Sequence, residues 1–281
     1  VVVVSLKNMP KAVAITAITL ISHVALLITL YVILSAASFL KAHRDKVFVL
    51  TAVALPLVTL SEPVRETIGY AQINIVLMAM IVVDCLWRVN SDRMLPYPRG
   101  LLIGLAAGIK LTPAVFLLFF VLRKDYRAVL VSALTFVATA LLGFALGFRQ
   151  AMQFWTSEIF AGGEMSFGQG FTGSTGVYAG NQSLRAVLTK LGLTPPTLTL
   201  VLIVLGVLVL GLGVLGMFAA LRSYDLPMAM SINAVIGLLL SPISWSHHWV
   251  LALPALVLLC DGAFARRDWP LLLGSTMAAG F

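Results

Sequence analysis

Charged residues are scarce in this 281-residue chain: they make up 11% of it, whereas hydrophobic residues make up 60%. Because about a quarter of the residues of a soluble domain are charged, this composition excludes an ordinary soluble protein. Several apolar runs approach or exceed the roughly 18 residues that cross a bilayer as a helix, and the mean hydropathy is +1.02. The sequence therefore predicts an all-α, polytopic transmembrane helical bundle. The net charge is +8, and the distribution of the basic residues along the chain indicates membrane topology. We therefore expect no nucleic-acid partner.

Cysteine is also rare, and the two cysteines, Cys85 and Cys260, lie within or beside apolar runs. Their surroundings favour small buried side chains over a disulfide or a metal-binding pair. The chain lacks a zinc motif, a dinucleotide fingerprint and a Ser-His-Asp arrangement. The glycine-rich stretch 162–176 is not a Walker motif, because no Gly-Lys-Ser/Thr follows it. We therefore expect neither a metal ion nor a cofactor.

Basic residues separate the apolar runs and predict how the chain is threaded through the membrane. Because positively charged loops stay on the cytoplasmic side, most of the lysines and arginines are placed there. The predicted crossings are Ala12–Phe39, Val47–Leu60, Ile73–Trp87, Ala128–Phe148, Leu198–Leu221, Pro227–Leu240 and Val250–Phe264.

The segment Leu101–Leu122 is an exception, because basic residues flank both of its ends. Gly108 and Pro113 interrupt it, and a proline cannot continue a regular helix. Broken backbone is tolerated at membrane depth where protein or a cavity surrounds it. We predict a re-entrant pair of half-helices that turns at Lys110–Pro113. The alternative is a true crossing, with the sidedness of one half of the chain reversed.

With this topology three polar stretches meet on the outer face, namely Ser61–Asn74, the long loop Arg149–Leu193 and Ser241–Trp249. Lys110 lies beneath them. The predicted cytoplasmic loops are short and merely basic, so we interpret the outer face as the working face. We expect residues 1–281 to form a single transmembrane domain, with 149–193 as a long extracytoplasmic loop.

The strongest candidate site residue is Lys110, since an intramembrane lysine is costly unless it is paired or beside water. An anion such as a phosphate would satisfy it; snorkelling to the interface is the alternative. Arg65 is a second candidate for a phosphate, and the carboxylates of Glu62 and Glu66 suit substrate hydroxyls. The alternative for these three residues is a solvated loop with a weak local ion pair.

Two adjacent histidines, His247 and His248, stand between Trp245 and Trp249 at a predicted membrane–water boundary. Adjacent side chains on a helix point about 100° apart, so the two histidines cannot both face one ligand there. They are either polar active-site residues or solvated members of an interfacial aromatic belt.

Amide side chains supply two further groups of candidates. Gln72 and Asn74 stand at the head of an apolar helix without sharing a face, and one of them is suited to cap it or to bond a neighbouring helix. Asn181-Gln182-Ser183 precedes a short amphipathic helix, Leu184–Leu191, and we expect Asn181 to be its N-cap.

The chain contains, in this order, Tyr70-Ala-Gln-Ile-Asn74, Gly104-Leu-Ala-Ala-Gly-Ile-Lys-Leu-Thr-Pro113, Asn181-Gln-Ser-Leu-Arg185 and Ser241-Pro-Ile-Ser-Trp-Ser-His-His-Trp249. Taken together these motifs resemble glycosyltransferase family 87, which are membrane enzymes of the GT-C superfamily. The resemblance covers nearly the whole chain. One departure is visible in the first motif, where Ala71 replaces the glycine of the family pattern Gly-Gln-x-Asn. We expect this change to weaken close helix packing without altering the chemistry.

The resemblance implies a GT-C-type, actinobacterial alpha-(1→2)-mannosyltransferase in the plasma membrane with its active face outside. It implies a polyprenyl-phosphate-mannose donor and a membrane glycolipid acceptor of the phosphatidylinositol mannoside or lipoglycan type. Lys110 and Arg65 would bind the donor phosphate, and His247 and His248 become the catalytic candidates. The residues expected to contact sugar or acceptor are Glu62, Gln72, Asn74, Asn181, Gln182, Ser244 and Trp245.

The resemblance also implies a catalytic aspartate in the first outer loop, but every aspartate of this chain maps to the predicted cytoplasmic half. The chain begins at Val1 without a methionine and ends at Phe281 inside an apolar stretch. We therefore expect a fragment that lacks the first helices, the first outer loop and the aspartate, so the general base stays unknown.

Two other classes of function compete with this interpretation. A lipid-linked sugar flippase or transporter would use the same broken helix and intramembrane lysine, but it predicts an internal repeat. A non-enzymatic assembly subunit predicts a plain outer face. Within the enzyme class, a different donor sugar such as arabinofuranose is the alternative.

Overall fold

The computed structural model describes residues 10–37, 44–90, 96–158 and 180–266, together with 268, 270 and 271. Within these residues the regular structure is helical, apart from one isolated β-bridge. The helices are α1 (Lys11–Ala36), α2 (Val47–Leu60), α3 (Glu62–Gly69), α4 (Asn74–Asn90), α5 (Leu101–Ile109), α6 (Leu117–Leu122), α7 (Tyr126–Leu146), α8 (Phe148–Gln153), α9 (Leu184–Lys190), α10 (Thr197–Arg222), α11 (Leu226–Leu240) and α12 (Leu253–Arg266). Short 3₁₀ helices cover Arg44–Lys46, Thr112–Phe116 and Ser246–Ala252, and a π-helix covers Phe154–Glu158.

Four helices are long and apolar enough to cross a membrane: α1, α7, α10 and the helical stretch Ser246–Ala263. A fifth crossing is possible if α2 and α3, which meet at an angle of 72°, count as one bent span. α4 and α11 are apolar but shorter. The predicted all-α, polytopic bundle is confirmed.

The core lies where α1, α4 and the 101–122 segment pack together. Its largest fully buried side chains include Leu26, Leu30, Met78, Ile81, Phe116, Phe119 and Phe120. By contrast, only 6% of the most apolar stretch of α7 and of α10 is buried inside the protein. These two helices therefore offer apolar surface to the lipid.

The 101–122 segment folds as a re-entrant hairpin, and α5, its first half, runs parallel to α7. Three glycines spaced four residues apart allow the two helices to approach closely, since a Cβ on any of them would collide with α7. This is the small-residue contact through which membrane helices pack tightly. The contacts pair Gly100 with Ala128, Gly104 with Ser132 and Gly108 with Thr139.

The second half of the hairpin, which ends with α6, returns to the start of α5. Arg99, just before α5, forms an ion pair with Asp125, just after α6, at 3.1 Å between Nη1 and Oδ2. Both ends of the hairpin thus lie on the same side, and Lys110 stands at the break between its halves. The re-entrant prediction is confirmed, and the alternative of a continuous crossing is wrong.

The base of the hairpin is fixed by Asp84 of α4. Its two carboxylate oxygens accept hydrogen bonds from the backbone N–H groups of Gly100 and Ile103, each at 2.9 Å. α5 has no side-chain cap of its own, so this distant carboxylate satisfies the otherwise unpaired N–H groups of its first turn.

The structure corrects two predicted loops. The stretch after α2 is mostly the helix α3, because Pro63 lies in its first turn and Val64 and Thr67 make a buried stripe along it. The predicted loop 149–193 contains α8, a π-helix and α9 at its ends, while 159–179, with most of its glycines, lies outside the described residues. As predicted, neither cysteine forms a disulfide in the described part of the chain; Cys85 is buried and Cys260 half-buried.

Candidate functional site

Polar side chains converge on the 3₁₀ helix Ser246–Ala252, which interrupts the path from α11 to α12. α3 and the start of α4 pack against this turn, and the tip of the re-entrant hairpin reaches it. The segment that precedes α9 pairs with Ser244 and Trp245, directly before the turn. The three polar stretches predicted to meet therefore do meet, over the described parts of each, and Lys110 lies beneath them. We call this end of the bundle the site face.

Lys110 is the cation of the site. α5 ends at Ile109, and the extended backbone of Lys110 (φ −148°, ψ 129°) leads into the 3₁₀ helix that contains Pro113. Its Nζ donates a hydrogen bond to Asn74 Oδ1 at 3.0 Å and lies 2.9 Å from His248 Nε2. Lys110 therefore has hydrogen-bond partners within the protein, and the alternative of a lysine that snorkels to the interface does not describe it.

Asn74 joins the hairpin to the histidine turn. Its side chain is buried, with 4% exposed, and its Nδ2 donates to the carbonyl of His247 at 3.2 Å while Oδ1 accepts from Lys110. The hydroxyl of Thr67 on α3 lies 3.0 Å from the same carbonyl and shares its proton with the Pro63 carbonyl at 2.7 Å. The backbone at His247 is thus fixed from two helices that lie about 180 residues away in sequence.

The two histidines point in different directions, as their adjacency predicts. Their ring centroids lie 4.7 Å apart with the planes at 82°. His248 turns toward Lys110, and its Nδ1 accepts from the backbone N–H of Trp245 at 3.3 Å. His247 packs edge-on against Tyr70, with centroids 5.6 Å apart. Both ring nitrogens of His248 have partners, so the alternative of a merely solvated belt residue does not describe it.

A clip between two distant loops holds the approach to the histidine turn. Asn181 forms an antiparallel bridge with Trp245. Its Oδ1 accepts from the N–H groups of Ser183 at 3.1 Å and of Ser244 at 3.0 Å. The N–H of Gln182 donates to the carbonyl of Ser244 at 2.7 Å.

The clip changes the role expected for Asn181. The N-cap of α9 is Ser183, whose Oγ accepts from Ala186 N at 3.2 Å, so the prediction of Asn181 as the cap is wrong. Asn181 is buried, with 1% exposed, and its carboxamide oxygen serves the bridge. Ser244 is fully buried beside it, while Gln182 is exposed. Sugar contacts by these residues and by Trp245 stay predictions.

Helix α3 places the charged candidates of the first polar stretch on different faces. Glu62 and Arg65 lie on its exposed face, away from the buried stripe that packs against the histidine turn. The structure therefore does not bring them to Lys110. Glu66, one turn after Glu62, is half-buried and its carboxylate accepts a hydrogen bond from the hydroxyl of Ser246.

The turn between α3 and α4 explains the motif that contains Ala71. The N–H of Gln72 bonds to the carbonyl of Thr67 at 2.8 Å, which closes the C-terminus of α3 with Ala71 in the left-handed region at φ 50°. Glycine is favoured there because it has no Cβ. Ala71 and Gln72 are exposed, so the alanine affects backbone conformation, not the helix packing that we expected it to weaken.

A crevice opens at the centre of this arrangement. It is lined by Asn74, Leu77, Lys110, Thr112, Pro113, His248 and Leu251. Apolar side chains share this lining with the Lys110 cation, the His248 imidazole and the Asn74 amide, so polar and apolar groups face the same small space. Among the described residues no group of three histidine, cysteine or acidic side chains is arranged to hold a metal ion.

Thr67 and Ser246 were not among the predicted site residues, and the sequence did not distinguish Glu62 from Glu66. Thr67 and Ser246 act through contacts across about 180 residues, for which a single sequence carries no signal. The two glutamates differ by the helical phase of α3, which becomes readable only once that stretch is recognised as a helix.

Comparisons with known proteins show the family to which the chain is similar. The family described as glycosyltransferase family 87 matches residues 1–242. A "polyprenol-phosphate-mannose-dependent alpha-(1-2)-phosphatidylinositol mannoside mannosyltransferase" of Mycolicibacterium smegmatis (strain ATCC 700084 / mc(2)155) is 34% identical over 234 residues, which are 81% of this chain and 50% of that protein. A "polyprenol-phosphate-mannose-dependent alpha-(1-2)-phosphatidylinositol pentamannoside mannosyltransferase" of Mycobacterium tuberculosis (strain CDC 1551 / Oshkosh) is 32% identical over 218 residues, which are 76% of this chain and 46% of that protein. The chain spans about half the length of these curated relatives. No solved structure matches the chain significantly.

Proposed function

We propose, from the premise that this chain belongs to glycosyltransferase family 87, that it is part of a mannosyltransferase. The enzyme transfers mannose from polyprenyl-phosphate-mannose to a glycolipid of the phosphatidylinositol mannoside or lipoglycan type. The names of the relatives support this donor and acceptor. The observation that carries the proposal is Lys110, a cation held between Asn74 and His248 at the wall of a crevice.

The donor is an isoprenoid lipid with a single phosphate, so it has an apolar part and an anionic part. Its phosphate binds at Lys110 Nζ, where a charge-assisted hydrogen bond is stronger than a neutral one. His248 Nε2 lies within reach of the same anion. Arg65 lies on the exposed face of α3, where it can contact only a lipid headgroup at the membrane surface.

Transfer is an inverting displacement. The acceptor hydroxyl attacks the anomeric carbon, the bond from that carbon to the phosphate oxygen breaks, and polyprenyl phosphate leaves with the electron pair. A β-linked donor then yields an α-linked product. Lys110 stabilises the negative charge that develops on the leaving phosphate. The hydroxyl proton passes to a general base, for which we propose an aspartate outside this chain; His247 and His248 are the alternatives within it.

The site face lies outside the cell in this proposal, and the protein is embedded in the plasma membrane. Support comes from the distribution of basic residues, because Lys46, Arg99, Arg123 and Arg222 all lie at predicted cytoplasmic ends of helices. The lipid-exposed surfaces of α7 and α10 are compatible with that placement.

A transporter of lipid-linked sugars is the second candidate, because the broken hairpin that ends at a polar site is a feature of transporters. The two functions differ in their product. An enzyme makes a larger glycolipid, whereas a transporter moves labelled donor into sealed vesicles without changing it.

The test uses membranes that carry the complete reading frame, radiolabelled polyprenyl-phosphate-mannose and a phosphatidylinositol mannoside acceptor. We expect a longer labelled glycolipid from the wild type. Lys110→Ala should raise the KM for the donor by on the order of 10- to 100-fold, which is the value of one hydrogen bond to a charged group. The matched control is Lys46→Ala, an exposed lysine at the opposite end of the bundle. No product from the wild type with any acceptor, or equal effects of both variants, would contradict the proposal.

A further inference from the structure

The site carries charges of opposite sign at its two ends. Lys110 lies at the hairpin tip beside His248, and Glu66 lies on α3 beside Ser246. His247, between them, is close enough to interact electrostatically with both charges. A row of polar groups therefore runs from a cation through two imidazoles to an anion.

Glu66 is held in position by its surroundings. The hydroxyl of Ser246 donates to its Oε2, while Thr67, the next residue, is buried and bonds to the His247 carbonyl. Two hydrogen bonds therefore join α3 to the 3₁₀ helix, and Glu66 makes one of them. The glutamate is half-buried, so a ligand can reach it without rearrangement.

Stabilisation of the α3 N-terminus does not account for this carboxylate. An acidic residue stabilises the N-terminus of a helix within its first turn, and in α3 that position belongs to Glu62. Glu66 lies one turn further on. A carboxylate accepts up to about four hydrogen bonds, and the hydrogen bond from Ser246 uses only part of this capacity.

From this arrangement we propose that Glu66 binds a hydroxyl of the acceptor glycan and so sets the orientation of the two substrates. The inference rests on the proposed mannosyl transfer. A carboxylate repels the donor phosphate and accepts hydrogen bonds from sugar hydroxyls, whereas the ammonium of Lys110 attracts the phosphate. The donor phosphate is thereby directed to the hairpin tip and the acceptor headgroup to α3. Ser246 is a positioning residue for Glu66.

The kinetic test uses the complete enzyme in membranes and varies one substrate while the other is saturating. Glu66→Gln keeps one acceptor oxygen but loses the charge, so the KM for the acceptor should rise about 5- to 10-fold, with the donor KM unchanged and kcat within about twofold. Ser246→Ala should shift the same constant in the same direction by a smaller factor. Asp45→Asn, which removes an exposed carboxylate at the opposite end of the bundle, should change none of the three.

Other kinetic outcomes overturn the inference. A collapse of kcat with both KM values unchanged would make Glu66 the general base, and a change in the donor KM alone would reverse the proposed orientation. Unchanged kinetics would exclude a role in binding. Equal thermal unfolding temperatures of wild type and Glu66→Gln establish that the fold is retained.

A binding measurement separates this inference from the proposed function. The probe is an α-linked mannoside headgroup without its lipid, titrated against the tryptophan fluorescence of the purified complete protein, because Trp245 lies beside Ser246. We expect saturable quenching in the wild type and about 5- to 10-fold weaker binding by Glu66→Gln, whether or not transfer occurs. Absence of binding by the wild type, or equal binding by both proteins, overturns the inference. Failure of the wild type to transfer mannose counts against the proposed function only.

Discussion

Lys110 Nζ and His248 Nε2 lie 2.9 Å apart, although 138 residues separate them in sequence. The contact joins the tip of a re-entrant hairpin to the 3₁₀ helix before α12. Asn74 links the same two elements, since its side chain bonds both to Lys110 and to the carbonyl of His247. A change at any of these residues therefore acts on the cation and on the histidines together.

Asn74→Asp tests the role of the charge on Lys110. The new carboxylate would form an ion pair with Lys110 and could no longer donate to the His247 carbonyl. Because the cation is then neutralised before the donor arrives, the KM for polyprenyl-phosphate-mannose should rise about 10-fold or more. The measurement is steady-state transfer with saturating acceptor.

Asn74→Leu is the matched control for that variant. It removes both hydrogen bonds but leaves the charge on Lys110 available to a phosphate. The donor KM should therefore rise less than in Asn74→Asp. The opposite order would mean that Asn74 acts through the position of the histidines and not through the charge of the lysine.

Much of the fold was predictable from hydropathy and charge. Val47–Leu60 was predicted with the bounds that α2 has, and the hairpin followed from basic residues at both of its ends and a proline between them. These signals are local in sequence. That three polar stretches meet followed from membrane topology, because alternating helices return their loops to the same side.

The atomic contacts of the site were not predictable in the same way. Thr67 and the His247 carbonyl are 180 residues apart, and Asn181 and Ser244 are 63 apart. Nothing periodic links such pairs in a single sequence. The long helices α1, α7 and α10 are also apolar all round, so no amphipathic stripe distinguishes a buried face from a lipid-facing one. The short helix α3 is amphipathic, and its phase separates Glu66 from Glu62.

Ala71→Gly should stabilise the protein. Ala71 has a φ of 50°, in the left-handed region where an L-residue with a Cβ is strained by about 1 kcal/mol or more. Glycine removes that strain, although it costs part of the gain through the entropy of the unfolded chain. We expect a higher unfolding temperature in detergent, with kcat unchanged. Ala52→Gly, in the exposed interior of α2, should lower the unfolding temperature instead, because glycine inside a helix reduces stability by about 0.5–1 kcal/mol relative to alanine. Destabilisation by both changes would contradict the strain at Ala71.

Cysteine labelling tests the sidedness of the site. Gln72 is exposed beside the site, whereas Lys46 is exposed at the other end of α2. In intact cells, a membrane-impermeant maleimide should label Gln72→Cys but should label Lys46→Cys only after permeabilisation. The wild type, with Cys85 buried and Cys260 half-buried, gives the background. The reverse pattern would place the site face in the cytoplasm and would exclude an extracytoplasmic acceptor.

Gly104→Ala tests the close packing that carries Lys110 to its position. A Cβ at Gly104 would lie 2.5 Å from the backbone oxygen of Ser132, and backbone of α7 cannot move aside as a flexible side chain does. The variant should lose about 1–3 kcal/mol of stability, as overpacked sites do. Because α5 would tilt away from α7, the donor KM should rise as well. Gly143→Ala is the control on α7 itself: no atom lies within 4 Å of the added Cβ, so alanine should raise stability by up to about 1 kcal/mol through its helix propensity. Thermal unfolding and donor KM are measured for both variants. If Gly104→Ala behaves like Gly143→Ala, the hairpin does not depend on this contact, and the position of Lys110 must be fixed by Asn74 and His248 alone.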